Sequence, residues 1–233
     1  MKKPVCYIVG AGEHLTPLPQ KNSQDIVIAA DGGYSFLSSL ERNADIIIGD
    51  FDSLGFVPCG NNVIELSPIK DNTDMEAAIE EGWNRGYRLF AIYGGLGGRI
   101  DHTIANIQCI ASVAERGGRG FLIGKDSVIT AIHNDKICFP SESSGFISVF
   151  SHDEKAYGVT ETGLKYTLND TELSNKTSLG VSNEFTGIES CISVRDGTLI
   201  IVYPIGTEEI YKLQGDLQNE KAKYRDDMYS GRI

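Results

Sequence analysis

Ile46-Ile47-Ile48-Gly49-Asp50-Phe51-Asp52-Ser53 is the stretch from which the rest of the chain can be read. Three β-branched apolar residues run straight into a glycine and two carboxylates at i and i+2. A run that short and uniformly apolar reads as a strand buried on both faces, as in a parallel sheet. Ligands of such sheets bind beyond the carboxyl ends of the strands, which is where Asp50 and Asp52 fall.

Working outward, the first half alternates strand and helix signals. Residues 5–9 and 26–30 read as buried strands, 34–41 as a short helix, 45–48 and 63–66 as further strands. Thr73 followed by Glu76 forms a capping box that opens the clearest helix, with Met75, Ile79 and Gly82/Trp83 on one face and Gly86 at its end. Residues 89–93 form the next strand. Ile100, Ile104, Ile107, Ala111 and Ala114 mark the face of a second long helix, and 121–123 complete an alternating β/α half. Beyond residue 125 the pattern changes to short β-rich runs at 127–132, 146–150, 163–168, 191–194 and 198–203, with Asp196-Gly197 as a hairpin turn between the last two. The expected architecture is an α/β N-terminal domain with a mostly parallel sheet (residues 1–125), a small all-β sandwich or roll (126–206) and a polar C-terminal tail (207–233).

Composition narrows the function classes. In 233 residues the apolar and charged fractions are 41% and 23%, ordinary for a globular protein. A net charge of −11 argues against a nucleic-acid footprint. Five cysteines, odd in number and without a Cys-x-x-Cys pair, read as core thiols rather than as disulfides or metal ligands, and so as a reducing, cytoplasmic setting. The apolar run after Lys2-Lys3 is too short for a signal peptide, and no segment approaches the length of a membrane helix.

The chemistry-bearing residues cluster at the ends of the apolar runs. Asp31, Asp50 and Asp52 follow strands, and Asp74 opens a capped helix. In a parallel sheet all four can point into one crevice. Two carboxylates about 4 Å apart repel by roughly 4 kcal/mol at an effective dielectric near 20, so such a cluster calls for a hard divalent cation, and Mg²⁺ suits carboxylates shared with phosphate oxygens. An EF-hand frame from Asp50 fails, because Leu54 and Asn61 stand where oxygen ligands belong. Gly94-Gly95-Leu96-Gly97-Gly98-Arg99 joins a strand to a helix N-terminus, where exposed N–H groups favour an anion. It is neither a Walker A loop nor a dinucleotide fingerprint. Arg99 and Lys70 add fixed charge for phosphates, and His102 stands one turn from them.

Taken in order, Ala30-Asp31-Gly32-Gly33, Ile48-Gly49-Asp50-Phe51-Asp52-Ser53, Lys70-Asp71-Asn72-Thr73-Asp74-Met75-Glu76 and Gly94-Gly95-Leu96-Gly97-Gly98-Arg99-Ile100-Asp101-His102 resemble the thiamine pyrophosphokinase family. So do Gly163-Leu164-Lys165-Tyr166-Thr167-Leu168 and Ser178-Leu179-Gly180-Val181-Ser182-Asn183-Glu184 in the second half. The resemblance spans residues 5 to 205. It implies Mg²⁺-dependent transfer of pyrophosphate from ATP to thiamine, giving thiamine diphosphate and AMP. It also implies a homodimer whose active sites lie between the catalytic domain of one subunit and the β-domain of the other.

Carried onto this chain, the resemblance gives Asp50, Asp52 and Asp74 as metal and catalytic ligands with Arg99 assisting. Asp31, Lys70, Asp71, Thr73, Gly95, Gly97, Gly98, Asp101 and His102 would line the ATP and substrate cleft, and Ser182 and Asn183 would meet the thiamine. One departure is visible: eukaryotic members set a Trp of a late hairpin against the substrate, whereas the single Trp here is Trp83. Two rival readings are a pyrophosphokinase acting on a hydroxymethylpterin and a non-catalytic nucleotide or ligand binder.

Overall fold

The computed structural model describes residues 3–13, 18, 20–67, 69 and 71–205. They divide into two compact units, one running from Pro4 to Asp126 and one beginning at Ser127. The expected polar tail, and Lys70, lie outside the described residues.

The first unit contains β1 (Cys6–Val9), β2 (Ile26–Ala30), α1 (Gly33–Ser39), β3 (Ile46–Gly49), β4 (Val63–Glu65), α2 (Asp74–Asn84), β5 (Leu89–Tyr93), α3 (Ile100–Glu115) and β6 (Arg119–Ile123). All six strands are parallel, in the order β4-β3-β2-β1-β5-β6. β1, β2, β3, β5 and β6 are buried at every position, as expected of a sheet covered on both faces. The order grows from β1 toward β4 on one side and toward β6 on the other. The carboxyl ends of β1 and β5 therefore form a topological switch point.

α2 begins where the capping box places it. Thr73 takes the extended N-cap conformation, and its Oγ1 accepts the Glu76 N–H at 3.1 Å. Met75, Ala78, Ile79 and Gly82 are its buried face. The face expected for α3 is only half right. Asn106, Ile110, Ala111, Val113 and Ala114 are buried, whereas Ile100 and Ile104 are exposed. The first turn of α3 lies at the mouth of a cleft, and its packed stripe starts a turn later.

The second unit holds β7 (Ser127–His133), β8 (Lys136–Phe139), β9 (Phe146–Ser151), β10 (Lys155–Thr162), β11 (Leu168–Ser174), β12 (Asn183–Glu184), β13 (Ser190–Ser193) and β14 (Thr198–Pro204). Their pairings are antiparallel and form two layers, β12-β9-β14-β7 and β11-β10-β13-β8. Phe139 of β8 packs edge-on against Tyr203 of β14 at 4.9 Å and against Phe185 at 5.3 Å, which joins the layers through an aromatic core.

Three expectations are corrected here. Residues 163–168 are mostly a connection between β10 and β11, not a strand. The Gly163 carbonyl accepts from the hydroxyls of Thr186 and Ser190, and Lys165 N–H donates to Glu184 O, so this backbone is satisfied outside a continuous ladder. Asp196-Gly197 does not close a hairpin within one sheet, because β13 and β14 belong to different layers. Cys138 and Cys191 form a disulfide. They stand 53 residues apart in sequence, and only the antiparallel β8–β13 register sets them opposite one another. The remaining cysteines, Cys6, Cys59 and Cys109, are free. Burial pushes the Cys6 thiol far up and the Cys109 thiol up to about 11, so neither is a ready nucleophile.

Candidate active site

At the switch point the first unit opens into a cleft of about 770 Å³. Its walls are the loop after β1, the ends of β2 and β3, the start of α2, the glycine loop after β5 and the first turns of α3.

The acidic side is built by strand register. Ala30 of β2 pairs with Ile48 of β3, so Asp31 comes off β2 beside Gly49, and Asp50 follows one residue further along. Asp31 N–H donates to Ile48 O at 2.8 Å, and Asp31 takes a left-handed φ of 46°. Asp74, on the first turn of α2, joins them. One carboxylate oxygen from each of Asp31, Asp50 and Asp74 lies within 4.8 Å of the other two, and all three residues are half-buried. Ser53 Oγ donates to Asp31 Oδ2 at 2.7 Å, while the buried Asp31 Oδ1 has no hydrogen-bond partner. An orphaned buried carboxylate oxygen beside two more hard oxygens fits a small divalent cation.

Asp52, expected among the metal ligands, is exposed and outside this trio. The cause is Phe51, which is buried and takes a left-handed φ of 59°. Anchoring that ring turns the chain so that the next side chain faces water, and Asp52 reaches Asp50 only through its N–H, 3.4 Å from Oδ1. Asp71 is likewise exposed and does not line the cleft.

The opposite wall is backbone. Gly10 N–H donates to Tyr93 O and Gly12 N–H to Gly94 O, at 2.8 and 2.9 Å, which laces the β1 loop to the β5 loop. A Cβ at residue 12 would lie 2.6 Å from Gly94 O, so only glycine permits this approach. Asn106 of α3, 5% exposed, donates from Nδ2 to Gly95 O at 2.7 Å and pins the glycine loop from beneath. Gly95, Gly97, Gly98, Thr73 and His102 line the cleft. Arg99 is the N-cap of α3 and makes no side-chain capping bond. Its guanidinium instead pairs with Asp101 at 2.5 Å, both side chains being largely exposed. That bond holds the Asp101 carboxyl below its ordinary value. With the helix N-terminus, this wall is a cradle for anions.

Sequence reasoning missed Asn106 and the Gly10–Gly12 loop, and it set Asp31 among the substrate-binding residues rather than in one trio with Asp50 and Asp74. The glycines after β1 were a usable signal; nothing local marks Asn106.

The chain is similar to proteins of one family. A family model described as the thiamin pyrophosphokinase catalytic domain matches residues 20–120, and one described as that family's vitamin B1 binding domain matches residues 135–199. The chain belongs to the thiamine pyrophosphokinase family. Thiamine pyrophosphokinase of Bacillus subtilis is 28% identical over 134 residues, 57% of this chain and 63% of the relative. The alignment thus spans less than two-thirds of that relative. A crystal structure of the B. subtilis enzyme superposes with a TM-score of 0.74 at 24% identity, covering 87% of this chain and 99% of that one. The Candida albicans enzyme gives 0.70 at 14% identity, covering 88% and 90%.

In the second unit, Ser182 is exposed with a left-handed φ of 59°, and its N–H donates to Ser148 Oγ at 3.0 Å. Asn183 is 4% exposed and spends its carboxamide within the chain, donating to Glu161 Oε2 and Tyr166 O and accepting from Tyr166 N–H and Glu184 N–H. Burial pushes the Glu161 carboxyl up to about 6, with the Asn183 bond opposing. A raised carboxyl pKa contributes stability that is complete below the unfolded value and lost as pH rises through the folded one. The Glu161→Gln variant should therefore gain stability relative to the native protein between pH 4.5 and 7, by about 2 kcal/mol at the upper end. Paired urea melts across that range check it, and a difference independent of pH would contradict it.

Proposed function

We propose that this protein is an enzyme, a thiamine pyrophosphokinase that transfers the pyrophosphoryl group of ATP to the hydroxyl of thiamine and releases AMP. The observation that carries the reading is the meeting of Asp31, Asp50 and Asp74 at one end of a cleft whose other wall is a backbone anion cradle. Membership of the family supports the choice of acceptor and donor.

In this reading Asp31, Asp50 and Asp74 hold Mg²⁺, which when bound neutralises charge on the polyphosphate. The N–H groups of Gly97 and Gly98 and the N-terminus of α3 receive phosphate oxygens. Arg99, already at the rim, adds a fork of donors, and His102 lines the same end. The thiamine hydroxyl forms a bond to the β-phosphorus while the bond to the oxygen bridging to the α-phosphorus breaks, and AMP leaves with that oxygen. One of the cleft carboxylates takes the hydroxyl proton. The residues contribute by orientation and electrostatics rather than by covalent chemistry. Ser182 contacts the thiamine, with Asn183 holding it in place. The protein acts as a homodimer in the cytoplasm, where ATP is supplied. Among the described residues no helix is long and apolar enough to cross a membrane.

An acceptor panel tests the proposal. With ATP and Mg²⁺, thiamine should elicit AMP release and a hydroxymethylpterin should not. Release with the pterin, or with neither acceptor, would contradict it.

A further inference from the structure

α2 and α3 pack on one face of the parallel sheet. A Cβ at Gly82 of α2 would lie 2.7 Å from Cys6 Sγ and 2.9 Å from the Phe90 ring, and a Cβ at Gly120 of β6 would lie 2.7 Å from Ile110 of α3. Cys6, Phe90 and Gly120 are register partners across β1, β5 and β6, so they share that face. Tyr7 and Val9 point to the other face, with Val27 of β2 beside Tyr7. There α1, seven residues long, supplies Leu37. Parallel strands are ordinarily joined by a crossover helix that covers them, yet none of the described residues between Gly10 and Asp25 is helical.

This side of the sheet holds a cavity of about 380 Å³. Tyr7, Val9, Val27 and Leu37 form its floor, and all four are buried. The volume falls within the range of small-molecule sites, about 300–1,000 Å³. The cavity shares no lining residue with the cleft that holds Asp31, Asp50 and Asp74.

Its rim is charged, with Lys21, Arg42 and Asp45 together. Both Asp45 carboxylate oxygens accept from Lys21 Nζ, at 2.5 and 2.6 Å, and Oδ2 also accepts the Val27 N–H at 2.7 Å. Those bonds occupy the one acidic group of the rim. Arg42 Nη1 donates to Leu18 O at 2.8 Å, which fixes the guanidinium at the cavity. Two cations against one carboxylate leave the rim positive in a chain whose net charge is −11. An anion complements this rim and a cation does not, and a guanidinium forks readily onto a carboxylate. The floor gains by covering itself with hydrocarbon.

We propose that this cavity is a second ligand site, separate from the cleft, and that it takes a small aromatic acid. The carboxylate meets Arg42 and the ring lies over Val9, Val27 and Leu37. The proposal does not depend on the thiamine reading above.

The test is equilibrium dialysis of the full chain against 2-naphthoate, with its uncharged amide as the comparison. The acid should bind once per chain, and the amide about tenfold more weakly, as expected for loss of one charge-assisted contact. Arg42→Met should weaken the acid about tenfold and leave the amide within about twofold, a split that a merely structural role for Arg42 would not produce. Leu37→Trp fills the cavity and should abolish binding of both. Saturating ATP with Mg²⁺ should leave the Kd of the acid within about twofold, because the two sites share no residue. No binding of the acid at about 1 mM, equal affinities for acid and amide, or displacement by ATP overturns the proposal. Should Leu37→Trp fail to fold, the acid–amide comparison on the native protein and on Arg42→Met decides.

Discussion

Replacing Asp50 by asparagine should lower turnover by two to three orders of magnitude and remove most of the stabilisation that Mg²⁺ gives the fold. Both effects follow from one arrangement. Three carboxylates present oxygens within 4.8 Å of one another, and at that separation each ionised pair costs about 3 kcal/mol at an effective dielectric near 20. A hard cation bound among these oxygens would offset that repulsion. A ligand at a hundred times its Kd stabilises the fold that binds it by about 2.7 kcal/mol, and the variant, lacking one hard oxygen, should gain little. The loss of turnover is sized on removal of one preorganised electrostatic group at a reacting centre, about a hundredfold to a thousandfold. Near-native turnover, or an Mg²⁺-induced shift in Tm as large as the native one, would contradict the role given to Asp50.

Gly33→Ala should cost about 4 kcal/mol of stability or more, a size reserved for a few mechanisms. A Cβ at residue 33 would lie 1.9 Å from Val9 O and 2.5 Å from Val9 C, both backbone. Val9 cannot yield. It is the last residue of β1, fully buried, and paired on one side with Ala29 of β2 and on the other with Tyr93 of β5. Moving it would break ladders on both sides at the switch point. In a domain of this size the loss corresponds to a fall in Tm of roughly 8–16 °C. A calorimetric melt within 2 °C of the native protein would show that α1 can lift away from the sheet without cost.

The parts of this fold that were legible in the sequence are those fixed by local chemistry. Ile26–Ala30, Ile46–Gly49 and Leu89–Tyr93 read as buried strands because a strand covered on both faces is apolar throughout. α2 announced its own start through Thr73 and Glu76. Asp31, Asp50 and Asp74 stood out as carboxylates at element ends, and the parallel register then made them neighbours.

What escaped the reading depends on geometry that no short window contains. Asp50 and Asp52 look equivalent in sequence, and the buried, left-handed Phe51 separates them. Asn183 was placed against the ligand, yet four internal hydrogen bonds consume its carboxamide. Cys138 and Cys191 become partners only through a strand register across 53 residues. That disulfide removes the cysteine argument for a reducing compartment and leaves the site chemistry untouched.

The account stands most directly on where the phosphates of ATP go. With ATP labelled at the γ-phosphorus, Mg²⁺ and thiamine, it predicts that the label appears in thiamine diphosphate and that AMP forms in equal amount, with no release when thiamine is omitted. Label transferred to a monophosphate with ADP as co-product, or freed as inorganic phosphate regardless of thiamine, would contradict it.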